Sequence, residues 1–232
     1  MDKNDVTFLK TGTTTVGIIC KDVVILAADK RATAGNLIVI KDTEKVFSVM
    51  GNMGITTAGT VSDIQLTVKY LKAELNLKEV RTGRKPTVKE AATLLSGMNY
   101  TNIRQMGGIC QFLFAGYDNK GPQLFDIYPD GSITNISADV GFVASGSGSV
   151  FAFGVLEDSW KKDMTEEQGV ELAFRAVNAA LQRDTASGEG IDVLVIDKNG
   201  AKKILHKVLS KKLNWSFIHF LLKFIRKNNQ RI

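Results

Sequence analysis

The spacing of apolar residues along the chain changes period four times. Residues 14–20, 23–28, 37–40, 46–49 and 54–58 are short runs rich in Val, Ile and Thr, separated by polar turns such as Lys21-Asp22. Runs of this kind predict antiparallel β-strands. Helical spacing begins at Val61, where Val61, Ile64, Val68, Leu71 and Leu75 fall on one face. A second helix starts at a capping box, Thr87 to Glu90, behind Pro86, and carries Ala91, Leu94, Leu95 and Met98 on its apolar side. Gly107-Gly108 breaks that pattern. Strands return at 110–117, 123–128, 132–136 and 141–145, and the joins at Asp118 to Gly121 and at Asp130-Gly131 have hairpin chemistry. Two more helices follow, one over 150–159 and one behind the capping box Thr165 to Gln168. The latter places Val170, Ala173, Ala176, Val177 and Ala180 on its apolar face. Strands at 191–196 and 201–205, joined through Lys198-Asn199-Gly200, close the pattern.

This order of strands, two helices, strands, two helices and strands lacks the strand–helix alternation of a parallel sheet. It predicts an α+β fold in four layers, αββα, with two antiparallel sheets stacked face to face and a helix pair outside each. Both faces of each sheet are then covered, which explains strands that are apolar with little alternation. Residues 13–206 read as one domain. Residues 1–12 are polar and lack a periodic pattern, as a leader would.

Beyond residue 206 the composition shifts. Trp215, Phe217, Ile218, Phe220, Leu221, Leu222, Phe224 and Ile225 interleave with Lys223, Arg226 and Lys227. Residues 207–232 therefore read as a basic amphipathic extension, suited first to a neighbouring subunit and second to an anionic membrane surface, with a poorly ordered tail as the third reading. The extension changes the meaning of the net charge of +6, because residues 202–232 hold nine Lys and Arg and no acidic residue. The rest is close to neutral, so the main domain is not expected to bind nucleic acid. Cys20 and Cys110 lie in strand-like apolar runs and read as buried, reduced thiols. With two His besides, far apart in the chain, no metal-ligand spacing appears. The N-terminal residues lack the apolar run of a secretory signal, and no stretch reaches the roughly 18 apolar residues of a spanning helix. A cytoplasmic location is expected.

The candidate chemistry starts at Gly12-Thr13. A Thr hydroxyl is a weak nucleophile that needs a base, and an N-terminal Thr carries one in its own α-amino group, with a pKa of about 7.7–8.0 in model peptides. An internal Thr has only an amide there. The chemistry thus requires a cut after Gly12, whose lack of a side chain leaves its carbonyl open to attack. Alone, the pair describes a turn leading into a strand. A nucleophile of this type also needs a cation to hold the amine pKa down, a carboxylate to orient that cation, and backbone N–H donors for the oxyanion. Asp29 and Lys45 stand at strand ends as candidates for the first two, and Gly59, between a strand and a helix, for the third. None needs a cofactor.

Gly-Thr-Thr-Thr-Val-Gly (12–17), Ala-Asp-Lys-Arg (28–31), Glu-Lys-Val-Phe (44–47), Thr-Ala-Gly (57–59), Ser-Gly-Ser-Gly (145–148) and Gln-Arg-Asp-Thr-Ala-Ser-Gly (182–188) resemble, in order and interval, the β subunits of the archaeal proteasome core particle. The resemblance spans about residues 11–206 and implies the αββα fold of N-terminal-nucleophile hydrolases. It implies Thr13 as nucleophile and amine base, freed by self-cleavage after Gly12, with Lys45 tuning it and Asp29 paired to Lys45. Asp184, Ser147 and Ser187 would form the hydrogen-bond network around the amine, Gly59 the oxyanion hole, and Arg31 a support for Asp29 and the Asp184 loop. Main-chain groups of Thr33 and Gly59 would pair with an extended substrate. Ala32, Thr43, Thr57, Val61 and Gln65 would line the specificity pocket, whose apolar lean suits cleavage after hydrophobic residues.

The implied partners are α subunits and further β subunits in stacked heptameric rings, a regulatory ATPase and unfolded polypeptide substrates. Within the extension, Lys211–Ile232 departs from the family, and the resemblance assigns it no role. Two readings stay open: a catalytic threonine endopeptidase subunit, and a structural subunit with little activity of its own. The stretch 182–188 and the leader ending in Thr-Gly speak against a simpler N-terminal-nucleophile enzyme.

Overall fold

The computed structural model describes residues 12–105 and 108–208, with only the backbone of 205–208. Residues 1–11 of the leader, Gly107 of the glycine break, and residues 209–232 of the extension lie outside the described residues. In chain order the strands and helices are β1 (Thr15–Ile19), β2 (Val24–Asp29), β3 (Ala32–Ala34), β4 (Leu37–Ile40), β5 (Val46–Met50), β6 (Met53–Gly59), α1 (Val61–Thr82), α2 (Val88–Gln105), β7 (Cys110–Asp118), β8 (Gly121–Ile127), β9 (Ile133–Ile136), β10 (Phe142–Ser145), α3 (Ser149–Ser159), α4 (Glu166–Leu181), β11 (Gly190–Asp197) and β12 (Gly200–Val208).

One five-stranded sheet runs β10-β1-β2-β11-β12 and the other β5-β6-β7-β8-β9, with a separate β3-β4 hairpin. Neighbouring strands in both are antiparallel. Three apolar layers hold them together. Ile18, Ile25 and Val193 of the first sheet pack with Ala152, Leu156 and Val177 of α3 and α4. Phe112, Phe114 and Ile55 of the second pack with Leu71, Leu75 and Leu95 of α1 and α2. Between the sheets, Val24, Leu26 and Ala28 meet Leu113, Ala115 and Leu124. The inner strands of each sheet are buried on both faces, so the four-layer αββα expectation holds.

Both capping boxes form. Thr165 Oγ1 accepts from the Gln168 N–H, whose side chain accepts from the Thr165 N–H. Thr87 and Glu90 exchange the same pair of bonds. These satisfy N–H groups that a helix start leaves without partners.

Two details differ from the sequence reading. Val61 does not join the buried face of α1, which is Ile64, Thr67, Val68, Leu71 and Leu75. As the first helical residue it overhangs the cleft described below and is 39% exposed. The short strand β3 was not expected, and it forms because β4 folds back on it, pairing Thr33 with Ile38 and Ala34 with Leu37.

Candidate active site

Strand register brings the site together. In β1, Thr15 pairs with Ala28 on one side and Ser145 on the other. Gly12, Thr13 and Thr14 therefore lie between Asp29 at the end of β2 and the turn that follows β10. Pairing of Ile191 with Asp29 brings the loop after α4 to the same corner. Lys45 precedes β5 and reaches in from the second sheet.

Thr13 is buried, and in the described chain its nitrogen is still an amide joined to Gly12. Lys45 Nζ donates to Thr13 Oγ1 at 3.0 Å and to Asp29 Oδ1 at 2.8 Å. It also lies 3.4 Å from the Gly12 carbonyl oxygen, to which Thr13 Oγ1 donates at 2.7 Å. Asp29 is fully buried and accepts three backbone N–H bonds, from Thr14 at 2.9 Å and from Arg31 and Gly188 at 3.0 Å each. These donors fix the carboxylate, and the carboxylate fixes the ammonium. Burial lowers the Lys45 pKa below its ordinary 10.5, and the neighbouring Asp29 charge opposes that shift.

A hydroxyl–carboxylate cluster stands on the nitrogen side of Thr13. The Thr13 N–H donates to Ser147 Oγ at 3.3 Å, and Ser147 Oγ donates to Asp184 Oδ2 at 2.7 Å. Ser187 Oγ donates to the same oxygen at 2.6 Å and meets Thr14 Oγ1 at 2.7 Å. Arg31 ties this loop down, donating to the Thr185 carbonyl at 2.8 Å and to Glu189 at 3.1 Å. Lys45 thus touches the Thr13 hydroxyl and Asp29 holds Lys45, while Ser147 meets the Thr13 N–H, Ser187 meets Thr14, Asp184 joins the two serines and Arg31 braces the loop. Thr14 escaped the reading; its only sequence signal is its place in the Thr13-Thr14-Thr15 run.

A cleft opens beside Thr13. Ala32, Thr43, Thr57, Val61 and Gln65, the five residues named for a specificity pocket, line it, and so does Thr33. Glu44, Phe47 and Ile64 line it too and were not anticipated. Phe47 was findable, because it stands two positions from Lys45 and strand side chains at that spacing share a face. Gly59 borders the cleft with φ +130°, and a Cβ there would lie 2.1 Å from the Ile109 carbonyl oxygen. Only glycine fits that backbone. Gly12 itself is held at the cleft by its N–H, which donates to Thr33 Oγ1 at 3.2 Å.

The arrangement offers a hydroxyl whose oxygen faces a buried, carboxylate-oriented ammonium, with a peptide carbonyl in contact with both. That is the layout of an acyl-transfer centre.

Residues 9–196 match the sequence model of the family described as "Proteasome subunit". The chain is 43% identical over 203 residues to "Proteasome subunit beta" of Archaeoglobus profundus, covering 86% of this chain and 93% of that one. It is 46% identical over 194 residues to the protein of the same name from Methanosphaerula palustris, covering 83% and 90%. With that of Methanocorpusculum labreanum it shares 47% identity over 189 residues, covering 81% and 87%.

Proposed function

The chain belongs to the proteasome subunit family, and from that premise we propose that it is a catalytic β subunit, a threonine endopeptidase that assembles with α subunits and other β subunits into stacked rings. The observation that carries this reading is the Thr13 hydroxyl 3.0 Å from Lys45 Nζ, which is itself 2.8 Å from the buried Asp29.

Two acyl transfers use the same groups. In maturation, Thr13 Oγ attacks the Gly12 carbonyl carbon, the C–N bond breaks, and the hydroxyl proton passes to the Thr13 nitrogen. Water then hydrolyses the ester, leaving a carboxylate on Gly12 and a free α-amine and hydroxyl on Thr13. Lys45, near both Thr13 Oγ and the Gly12 oxygen, stabilises the negative charge that develops. In peptide hydrolysis, the new α-amine accepts the Oγ proton through a water as Oγ attacks the substrate carbonyl. Ser147 and Asp184 hold the nitrogen. The family resemblance supplies Gly59 as the oxyanion donor and Thr33 as a main-chain partner for an extended substrate. The amine product leaves, and water cleaves the acyl-enzyme. The substrates are unfolded polypeptides delivered into a closed chamber by a regulatory ATPase in the cytoplasm.

The test is the intact mass and N-terminal sequence of the chain after co-assembly with its α subunit, beside peptide hydrolysis by Thr13→Ala particles. A start at Thr13 and loss of hydrolysis are expected. An intact leader in particles that hydrolyse peptide would overturn the reading, and unchanged total activity in Thr13→Ala particles holding a second β chain would point to a structural subunit.

A further inference from the structure

Lys30 stands between Asp29 and Arg31, yet it takes no part in the site. Its neighbours turn toward Thr13 and the Asp184 loop, whereas Lys30 is buried among different partners. Its side chain is 0% exposed and forms ion pairs with Asp42 and, at 3.4 Å, with Asp192 Oδ1. Asp192, on β11, is 1% exposed, and its second oxygen lies 3.0 Å from Lys203 Nζ of β12. Lys203 in turn holds Glu44 at 2.9 Å. The result is one continuous chain of alternating charges, Asp42–Lys30–Asp192–Lys203–Glu44. Its centre is buried, and its two ends are half exposed.

Both ends grip the same short connection. Asp42 and Glu44 flank Thr43 in the link between β4 and β5, and that link ends at Lys45. Leu37, Val39 and Ile40 of β4 are all about half exposed or more, so the strand before the link is not anchored in the core. Backbone bonds hold the middle and the end of the link: the Thr43 N–H donates to the Lys30 carbonyl at 2.9 Å, and the Thr57 N–H to the Lys45 carbonyl at 3.0 Å. Thr43 and Glu44 also line the cleft.

A buried ion chain is a poor way to add stability, because desolvating the charges offsets most of their attraction and well-packed apolar residues do as well or better. What it adds is geometry, since each charge accepts few arrangements of its partners. We propose that Lys30, Asp192 and Lys203 are positioning residues that clamp the 42–44 link onto the first sheet and so set the placement of Lys45 against Thr13. The proposal rests on the reading of Thr13 and Lys45 above. Displacement of a catalytic group by about 1 Å from a remote change costs up to about a hundredfold in rate, and because Thr43 and Glu44 line the cleft the clamp acts on substrate binding as well as on turnover.

The experiment uses the assembled core particle, a fluorogenic peptide amide as substrate, and Thr13→Ala particles as control. Asp192→Asn keeps the shape and removes the shared carboxylate. It is expected to lower kcat by about tenfold to a hundredfold and to raise KM as well, since Thr43 and Glu44 line the cleft. Lys203→Met, closer to the surface, should show a smaller loss of the same kind, and Lys203→Arg should restore most of it at an unchanged thermal midpoint. If Asp192→Asn particles fail to assemble, the Lys203 pair decides alone. Wild-type kcat in assembled, processed Asp192→Asn particles would overturn the clamp, as would equal rates for Lys203→Met and Lys203→Arg. Activity retained by Thr13→Ala would instead overturn the threonine-peptidase reading, whatever the clamp variants do.

Discussion

Replacing Lys45 by Met removes the ammonium while keeping most of the apolar stem, and it strands the Asp29 carboxylate in a fully buried position. Breaking a buried ion pair by removing one partner typically costs about 3–5 kcal/mol. Asp29 keeps its three backbone N–H bonds, from Thr14, Arg31 and Gly188, and these charge-assisted bonds place the expected loss at the low end, about 3 kcal/mol. In urea unfolding of the isolated chain, with a slope of about 3 kcal/mol/M, that is a fall of about 1 M in the midpoint. Asp29→Asn alone leaves Lys45 buried without its carboxylate and should cost a similar amount. In the double variant neither charge is stranded, so the two losses should fall short of adding by at least about 1.5 kcal/mol. Chemistry should not recover with stability. Without Nζ at 3.0 Å from Thr13 Oγ1, the Gly12–Thr13 bond should stay intact in both the single and the double variant, which mass spectrometry of co-assembled particles reads directly. The reasoning fails if the double-variant coupling is near zero, or if Lys45→Met particles mature and turn over at the wild-type rate. The pH dependence has a definite sign. Burial depresses the Lys45 pKa below 10.5, so between its folded value and 10.5 the unfolded chain binds more protons and stability rises with pH. Lys45→Met should remove that contribution.

Two further outcomes are expected. A Cβ on Gly12 would lie 1.6 Å from Ala186 Cβ and 2.8 Å from its Cα, so Gly12→Ala must shift the backbone at the proposed cleavage site. The Thr13 N-terminus should then appear more slowly, while the particles that do mature are chemically identical to wild type and have the same kcat. The thiols of Cys20 and Cys110 are pushed up to about 12 by burial, with the nearby charges of Glu166 and Asp63 adding to the shift. Their contribution to stability should be complete below pH 9 and be lost as pH rises toward 12, opposite in sign to that of Lys45. Urea midpoints of the wild type and of Cys20→Ala/Cys110→Ala across that range should differ in slope, and an alkylating agent should label both thiols only after unfolding.

The layer order of the fold was legible in the chain because period is a local property. Antiparallel strands at 14–58 and helical spacing from Val61 need only neighbouring residues to be read, and the capping boxes at Thr87 and Thr165 mark helix starts in four residues each. Glycines at 12 and 59 and the charged residues at strand ends were visible as candidate chemistry, and resemblance sorted them into roles. The meeting of Thr13, Lys45, Asp29, Ser147 and Asp184 was a different matter. These residues come from five separate stretches, and antiparallel register, Thr15 against Ala28 and Ser145 and Ile191 against Asp29, together with the stacking of the second sheet that carries Lys45, decides that they converge. Val61 shows the limit of periodicity: its spacing matches the buried face of α1, but its place at the helix start turns it over the cleft. Lys30 and Asp192 show the same limit for charge. In the chain one is an ordinary basic residue beside Asp29 and the other an acid inside a strand, and pairing of β2 with β11 alone makes them partners. Spacing along one segment dictates what that segment becomes, while contacts between segments depend on strand register and sheet stacking, which join residues far apart in the chain.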